Sequence, residues 1–262
     1  MSLSALVFDT DGTLAETADV KRAAFNQAFY ECGLDWVWGR ATYAQIRANC
    51  LPGSEIEFYG LLRFPDKFNQ WEKEGLLDEA QAIFRGKYLS LLESGAAPLR
   101  PGVARLMSEA RLKGRKIAIC STAPREEFET LLFNRFGLEM IDALAASVSA
   151  EDLQGVSPIQ AYRLCFERLS VPARRIAVIE DSARGLVAAA SLGAQVILTP
   201  GLYSRGQNFQ AAKLVVSDLG HPSQPMTQIA GPTQQARLVD IALLDRLIDE
   251  ASTFALPVQV AA

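Results

Sequence analysis

The sequence predicts an α/β fold in which a doubly wound parallel sheet is interrupted by a helical insertion. Two observations support this prediction. After residue 102, short apolar runs alternate with segments of helical periodicity about 10–15 residues long, which is the pattern of parallel strands joined by helices. Between residues 16 and 96, by contrast, helical patterns recur and no convincing strand is found.

The first predicted strand is the apolar run Leu3–Phe8, which is followed at once by two carboxylates, Asp9 and Asp11. A run of this length is typical of a buried strand. Gly12 then allows the chain to turn sharply. Both carboxylates should therefore lie just beyond the carboxyl end of the strand, at the edge of an open α/β sheet where ligands bind.

The insertion begins with a predicted helix over Asp19–Cys32, whose apolar residues recur at helical spacing. Its last predicted helix, Asp78–Glu93, has one apolar face. The whole insertion has roughly 80 residues, which is within the usual size range of a domain. We therefore expect a core made of residues 1–15 and 97–262 and a helical subdomain made of residues 16–96.

The elements predicted for the rest of the core alternate between helix and strand. In order they are helix Val103–Leu112, strand Lys116–Cys120, helix Glu126–Phe136, strand Ala143–Ser147, helix Pro158–Leu169, strand Ile176–Ile179, helix Ala183–Leu192, and strands Gln195–Leu198 and Leu214–Val216. The Pro- and Gln-rich stretch Gly220–Gln235 is predicted to be a linker or loop. Leu238–Ile248 is then an amphipathic helix that docks on the core, so residues 221–262 form a linker plus a C-terminal helix.

The composition excludes several classes of function. The 262 residues are 49% hydrophobic and carry a net charge of −4, so the basic excess of a nucleic-acid or anionic-membrane binder is missing. No apolar stretch reaches the roughly 20 residues of a membrane span, and the early first strand leaves no room for a signal peptide. We therefore expect a cytoplasmic protein with a small-molecule partner. The four cysteines lack C-x-x-C spacing and the single histidine, His221, lies in a polar stretch, which argues against zinc sites and Ser-His-Asp catalysis.

Three polar clusters follow apolar runs: Asp9 with Asp11, Ser121 alone, and Glu180 with Asp181. In a parallel sheet the ends of these runs share one edge. Carboxylates that meet there repel one another and raise one another's pKa unless a cation joins them, and oxygen ligands suit Mg²⁺. Such a cation, with a hydroxyl and backbone amides nearby, suits a phosphoryl group. The sequence therefore predicts Mg²⁺-dependent phosphoryl chemistry.

Roles can be assigned within that chemistry. Asp9 is the expected nucleophile, forming an aspartyl-phosphate, and Asp11 is the acid that protonates the leaving oxygen and then the base that activates water. Ser121 would donate a hydrogen bond to a phosphate oxygen. The expected metal ligands are Asp9, Asp11 through its backbone carbonyl, Glu180 and Asp181. Further candidates for contact with the substrate are Gly12, Thr122, Lys21 and Arg125.

Each assignment has a simpler alternative. The stretch from Asp9 to Gly12 can be a plain strand-to-loop turn, and an EF-hand loop is disfavoured because its twelfth position is Val20 rather than Glu. Asp181 can merely cap the helix that follows, and Ser121 can be a cap or turn residue. The combination is more specific than its parts.

These residues resemble the motifs of a known family. Phe8–Leu14, Ser121 and Val178–Leu186 resemble motifs one, two and four of the haloacid dehalogenase (HAD) superfamily. Segments that further resemble its CbbY-like, phosphoglycolate phosphatase-like branch are Ala15–Thr17, Ala24–Asn26, Arg100–Gly102 and Pro200–Tyr203. The resemblance implies a helical cap over a Rossmann-like core, Mg²⁺ dependence and hydrolysis of small sugar phosphates, with xylulose bisphosphate as a substrate of family members.

The chain departs from the family in its third motif. That motif carries a Lys that neutralises the nucleophile and the phosphate, whereas Gly155 or Val156 stands at that place here. Losing one preorganised contact of this kind typically costs on the order of 10²–10³ in rate. The nearest replacement cations in the sequence are Arg125 and Arg184.

A second departure lies in the cap. The family's Gly-Gly-Lys-x-Arg loop grips the distal phosphate of the substrate, but the matching segment here is Asn49–Ile56, in which Glu55 disfavours a bisphosphate by charge repulsion. At the start of the cap, Ala18 and Lys21 replace an acidic residue and a His. Lys21 can reach the substrate or be a solvated helix charge. The missing His also disfavours a phosphomutase.

Two functions therefore remain open. The first is a Mg²⁺-dependent phosphatase of a small phosphorylated metabolite, acting through Asp9. The second is a catalytically degenerate HAD-like protein that senses a ligand or binds a protein partner. We favour the enzyme, because clustered carboxylates cost stability when they are unpaired. We expect a monomer or homodimer, with a cap hinged at Leu14–Glu16 and Ala97–Pro101 that excludes water from the reaction.

Overall fold

The computed structural model describes residues 2–155, 157–232 and 236–253, with side chains described as far as residue 250. Its strands are β1 (Ala5–Phe8), β2 (Lys116–Cys120), β3 (Ala146–Val148), β4 (Ile176–Glu180), β5 (Gln195–Leu198), β6 (Leu214–Val216) and β7 (Gln228–Ala230). They form one seven-stranded sheet in the order β3-β2-β1-β4-β5-β6-β7. The first six strands pair in parallel and β7 pairs antiparallel to β6. The predicted doubly wound α/β fold is confirmed.

Eleven α-helices occur in the described part of the chain. They are α1 (Ala18–Glu31), α2 (Arg40–Asn49), α3 (Glu55–Arg63), α4 (Pro65–Lys73), α5 (Leu76–Glu93), α6 (Val103–Leu112), α7 (Arg125–Phe136), α8 (Leu138–Asp142), α9 (Pro158–Leu169), α10 (Ala183–Ser191) and α11 (Ile241–Thr253). Residues 16–96 are all described and contain α1 to α5 and no strand, as expected of a helical cap. The exact boundaries between cap and core, at 15/16 and 96/97, stay a prediction.

The core forms on both faces of β1, whose residues are all buried. Because side chains alternate across a strand, Leu6 and Phe8 join the apolar cluster that includes α6 and α11, whereas Ala5 and Val7 join the cluster with α9 and α10. This burial explains why β1 reads as a continuous apolar run, as expected of a central parallel strand. β1 is thereby held firmly at the middle of the sheet.

The cap has an aromatic core of its own. Phe25 of α1 and Phe84 of α5 stack with ring centroids 3.7 Å apart, and Trp38 packs against Phe25 at 4.8 Å. Asn26 fixes the loop after α1, because its side chain accepts a hydrogen bond from the Trp38 backbone N–H at 2.8 Å. Tyr43 and Ile46 of α2 are buried in the same cluster, which fixes the orientation of α2 above the sheet edge.

Three expected elements differ clearly from the structure, whereas the bounds of the others agree within two residues. The third strand is Ala146–Val148 rather than Ala143–Ser147, and the last helix begins at Ile241 rather than Leu238 because the Asp240 carboxylate accepts a hydrogen bond from the Leu243 N–H and so caps it. The stretch predicted to be a linker, Gly220–Gln235, contains β7, a short edge strand with exposed side chains and hence no apolar pattern. Residues 233–235 of that stretch lie outside the described residues.

No described helix combines the length and the apolar character that crossing a lipid bilayer requires. The cytoplasmic location and the monomeric or homodimeric state stay predictions.

Candidate active site

The site lies where the three central strands end. Parallel pairing aligns Phe8 of β1 with Ile119 of β2 and with Ile179 of β4. The residues that follow on each strand therefore reach the same edge of the sheet. Asp9, Ser121, Glu180 and Asp181 all line one cavity of about 440 Å³ at that edge, with the cap on its other side. The sequence-based expectation that these polar clusters converge agrees with the structure.

The acidic side chains of the core are close enough to share a cation. Carboxylate oxygens of Asp9, Glu180 and Asp181 all lie within 4.8 Å of one another. Burial raises the pKa of Asp9 well above its ordinary value, and the charges of Glu180 and Asp181 raise it further. Burial, followed by the charge of Glu180, raises the pKa of Asp181 to about 7. Buried oxygen donors that repel one another in this way fit Mg²⁺, which relieves the repulsion when it binds.

Glu180 is held by a dense set of hydrogen bonds. Its Oε1 accepts a bond from the Tyr162 hydroxyl at 2.8 Å, and its Oε2 accepts bonds from the N–H groups of Asp181 and Ser182, each at 2.9 Å. Burial raises the pKa of Glu180, while these bonds lower it. Tyr162 was not identified from the sequence, because its position on α9 reads as an ordinary core aromatic. The result is a preoriented carboxylate at the end of β4.

Gly12 makes room for the Asp181 carboxylate. A Cβ at Gly12 would lie 2.4 Å from the Asp181 Oδ2, and Gly12 has φ +83°, so this position requires glycine on both counts. Its N–H donates to the Ala15 carbonyl at 2.9 Å and is therefore already used. Gly12 thus has a steric role beside Asp181, and its contact with a substrate stays a prediction.

Asp11 does not join the acidic cluster through its side chain. Its Oδ1 accepts a hydrogen bond from Thr17 Oγ1 at 2.6 Å, and its Oδ2 accepts one from Lys21 Nζ at 2.5 Å. Burial alone would raise the pKa of Asp11, but the adjacent Lys21 ammonium lowers it below its ordinary value. The carboxylate is therefore held in its ionised form by two residues at the start of the cap.

Lys21 lines the cavity, so it is not a solvated helix charge, and its contact with the substrate stays a prediction. Its ammonium lies 3.0 Å from Glu127 Oε2 of α7 as well as against Asp11, and its side chain is only 15% exposed. Burial would lower the pKa of Lys21, but the charges of Asp11 and Glu127 raise it well above its ordinary value. Lys21 therefore joins the cap to Asp11 and α7, rather than being a solvated surface charge.

The remaining candidates have separate positions. Ser121 is 4% exposed, its Oγ accepts a bond from the Ala123 N–H at 3.1 Å, and its hydroxyl proton is left to donate; Thr122 also lines the cavity. The Arg125 guanidinium instead binds Ser147 Oγ at 2.7 Å and Asp152 at 2.9 Å, and it is absent from the cavity wall. The Arg125 guanidinium is therefore engaged outside the cavity, and its contact with a substrate stays a prediction.

The position at which the third motif of the family carries a Lys is only partly among the described residues. Gly155 is exposed, and Val156 lies outside the described residues. Arg184, the other proposed replacement, is exposed on the cavity wall at the start of α10. Neither Gly155 nor Arg184 brings a buried cation to the site.

Two arginines were missed by the sequence analysis. Arg47 of α2 lines the cavity from the cap side, one helical turn after Tyr43. That four-residue spacing places both side chains on one face of the helix, and it is the feature of the sequence that could have indicated Arg47. Arg100 is 8% exposed and donates hydrogen bonds to the backbone carbonyls of Gly12, Thr199, Pro200 and Ser217. Arg100 thereby ties the loop after β1 to the loop after β5.

This fold and this cluster define a hydrolase family. The model of the haloacid dehalogenase-like hydrolases matches residues 3–193, and the chain belongs to that family. It is an enzyme, a phosphoric monoester hydrolase of the HAD type. A catalytically degenerate scaffold, the alternative left open by the sequence, is not favoured.

Within the family the chain is similar to the CbbY proteins. It is 34% identical to the plasmid protein CbbY of Cupriavidus necator over 243 residues, which cover 92% of this chain and 95% of that relative. The crystal structure of CbbY from Rhodobacter sphaeroides with phosphate has a TM-score of 0.71 and 29% identity, covering 82% of this chain and 94% of that chain. A variant of the same protein in complex with xylulose-(1,5)bisphosphate has a TM-score of 0.72 and 28% identity, covering 84% and 98%.

Proposed function

We propose that this chain hydrolyses a small sugar phosphate in a Mg²⁺-dependent reaction that passes through an aspartyl-phosphate on Asp9. The observation that supports the proposal is the position of Asp9 at the end of the central strand, with carboxylate oxygens of Glu180 and Asp181 within 4.8 Å. The xylulose bisphosphate complex of a similar CbbY supports a sugar phosphate as the substrate class. The buried Glu55 on the cavity wall favours a single phosphate over two.

The first half of the reaction transfers the phosphoryl group to the protein. A carboxylate oxygen of Asp9 attacks phosphorus and the bond from phosphorus to the sugar oxygen breaks. Asp11, whose carboxylate is ionised beside Lys21, takes up a proton when the substrate binds and gives that proton to the leaving sugar oxygen. The Ser121 hydroxyl donates a hydrogen bond to a phosphoryl oxygen.

The second half hydrolyses the aspartyl-phosphate. A water molecule attacks phosphorus while the Asp11 carboxylate takes its proton, the bond from phosphorus to Asp9 breaks, and inorganic phosphate leaves. The contact of Asp11 with Lys21 favours the ionised carboxylate that this step requires. Asp9, Glu180, Asp181 and the Asp11 backbone carbonyl would hold Mg²⁺, which when bound neutralises charge on the phosphoryl group.

Turnover of an aryl phosphate and of a sugar-phosphate panel, with Mg²⁺ or with a chelator, tests the proposal. We expect turnover in the wild type with Mg²⁺ only, and loss of at least about 10³-fold in Asp9→Asn because the nucleophile is gone. Asp35→Asn, which changes an exposed acid of the cap, serves as the matched control and should match the wild type. Turnover that survives either Asp9→Asn or the chelator would rule the proposal out.

A further inference from the structure

The cavity carries an excess of negative charge before any substrate enters. Asp9, Glu180 and Asp181 converge at the sheet edge, and Glu55 adds a buried carboxylate from the cap. A phosphate monoester adds up to two further negative charges. Burial makes this repulsion stronger than it would be in water, so binding of a phosphoryl group calls for a cationic side chain in addition to a metal ion.

Most cations around the site are already committed to other groups. Lys21 contacts Asp11 and Glu127, at 2.5 and 3.0 Å. Arg125 binds Asp152, at 2.9 Å. Arg100 donates to backbone carbonyls of the loops after β1 and β5. These three side chains hold the protein together, and none of them has its charge directed at the cavity without a partner.

Arg47 is different. Its guanidinium carbon lies 5.6 Å from the centroid of the Tyr203 ring, and the side chain lines the cavity from α2. Within the described residues no hydrogen bond or ion pair of the Arg47 guanidinium is found. Arg47 is half-buried, and its guanidinium nitrogens stay accessible from the cavity, so an anion that enters can accept hydrogen bonds from them. Arg47 therefore has the open donors that an anionic ligand needs.

The surroundings of Arg47 connect it to Asp181 at the sheet edge. The ring beneath it belongs to Tyr203, and the next residue, Ser204, donates a hydrogen bond to Asp181 Oδ2 at 3.1 Å. Burial would lower the pKa of Arg47, but the charges of Tyr43, Asp11 and Asp181 raise it. In turn the Arg47 charge lowers the pKa of Asp181. Arg47 and Asp181 therefore line the same cavity and are linked through the adjacent residues Tyr203 and Ser204.

We propose that Arg47, carried by the cap, donates its guanidinium N–H groups to the phosphoryl group being transferred and so supplies the cation that the third motif lacks. The inference rests on the proposed function for its catalytic meaning, although it concerns phosphate binding in its own right. A guanidinium suits this task because its planar fork of donors matches two phosphoryl oxygens. The buried Glu55 carboxylate, which interacts with Arg47 from the cap, leaves little net positive charge for a second anion.

The test combines phosphate binding with turnover in Arg47→Gln and Arg47→Lys. Calorimetry with inorganic phosphate and Mg²⁺ measures binding, and an aryl phosphate, which has no second anionic group, reports turnover. We expect Arg47→Gln to weaken phosphate binding about tenfold or more and to lower kcat by about 10²–10³, and Arg47→Lys to recover part of both. Arg63→Gln, an exposed arginine of α3, is the matched control and should stay within about twofold of the wild type.

Each outcome bears on one of the two proposals. Phosphate binding that is unchanged in Arg47→Gln, or weakened in Arg184→Gln instead, would overturn the role of Arg47. So would a defect confined to the KM of substrates with a second anionic group. If the wild type binds phosphate through Arg47 but hydrolyses nothing, the phosphate contact is supported and the proposed function fails. Circular dichroism shows whether each variant is folded, and Arg47→Lys retains the charge should Arg47→Gln unfold.

Discussion

Replacing Gly185 with alanine tests whether α10 packs on the Glu180 carboxylate as the structure shows. Inside a helix, alanine is ordinarily more stable than glycine by about 0.5–1 kcal/mol. At this position, however, a Cβ would lie 1.6 Å from Glu180 Oε1 and 2.2 Å from its Cδ. No two unbonded heavy atoms approach so closely, so the Glu180 side chain must move.

The expected loss follows from what that movement breaks. Glu180 accepts hydrogen bonds from the Tyr162 hydroxyl and from the N–H groups of Asp181 and Ser182. A hydrogen bond to a charged group contributes about 1.5–3 kcal/mol, and overpacking a filled site costs about 1–3 kcal/mol. The loss of one such bond and the cost of overpacking add, and the higher helix propensity of alanine is subtracted from their sum. Gly185→Ala should therefore lower the free energy of unfolding by about 2–5 kcal/mol.

Urea unfolding followed by circular dichroism measures this change. Gly86→Ala is the matched control, because Gly86 is exposed inside α5 and a Cβ there would have no heavy atom within 4 Å. This control should gain about 0.5–1 kcal/mol. If Gly185→Ala gained stability as well, the close contact between α10 and Glu180 would be wrong.

Two further predictions concern charge pairs. Lys21→Met leaves Asp11 and Glu127 without their shared cation and should lower the free energy of unfolding, measured in urea, by about 3 kcal/mol. Lys21→Arg should retain most of the wild-type stability. A loss below about 0.5 kcal/mol in Lys21→Met would contradict the ion pair. The pKa of Asp152 falls from 3.8 to about 2, chiefly through its hydrogen bond from Arg168. A carboxyl group whose pKa is lowered by folding stabilises the folded state at pH values above its ordinary pKa. This stabilisation is lost as the pH falls from about 4 towards about 2. Asp152→Asn should therefore be less stable at neutral pH but lose less stability over that acidic window, measured by unfolding at each pH, and an unchanged slope would refute the assignment.

The acidic half of the site could be predicted from the sequence. Asp9, Ser121 and Asp181 each follow an apolar run, and parallel topology alone brings the carboxyl ends of those runs to one edge. Arg47 could not be found in this way, because its position depends on how α2 lies above the sheet. The partner of Lys21 was hidden for the same reason, since Glu127 is distant in sequence and meets it only through tertiary packing.

Two element boundaries could not be predicted from the sequence for a different reason. β7 is a three-residue edge strand whose side chains are largely exposed, so no apolar run marks it. α11 begins after Asp240 because the Asp240 carboxylate caps the helix. The two residues before Asp240 continue the apolar pattern of the helix, so the pattern alone places its start too early. In both cases a hydrogen bond rather than hydrophobic periodicity decides the boundary, and periodicity was the signal available.

The sheet edge and the helices between residues 16 and 96 contribute different charges to the site. The carboxylates of Asp9, Glu180 and Asp181 come from the strand ends, whereas Lys21 and Arg47 come from helices between residues 16 and 96. The cap also contributes Glu55, but Lys21 and Arg47 reach the sheet edge only when α1 and α2 lie over it. Phosphate binding and the docking of α2 over the sheet edge should therefore reinforce each other, because both involve the charge of Arg47.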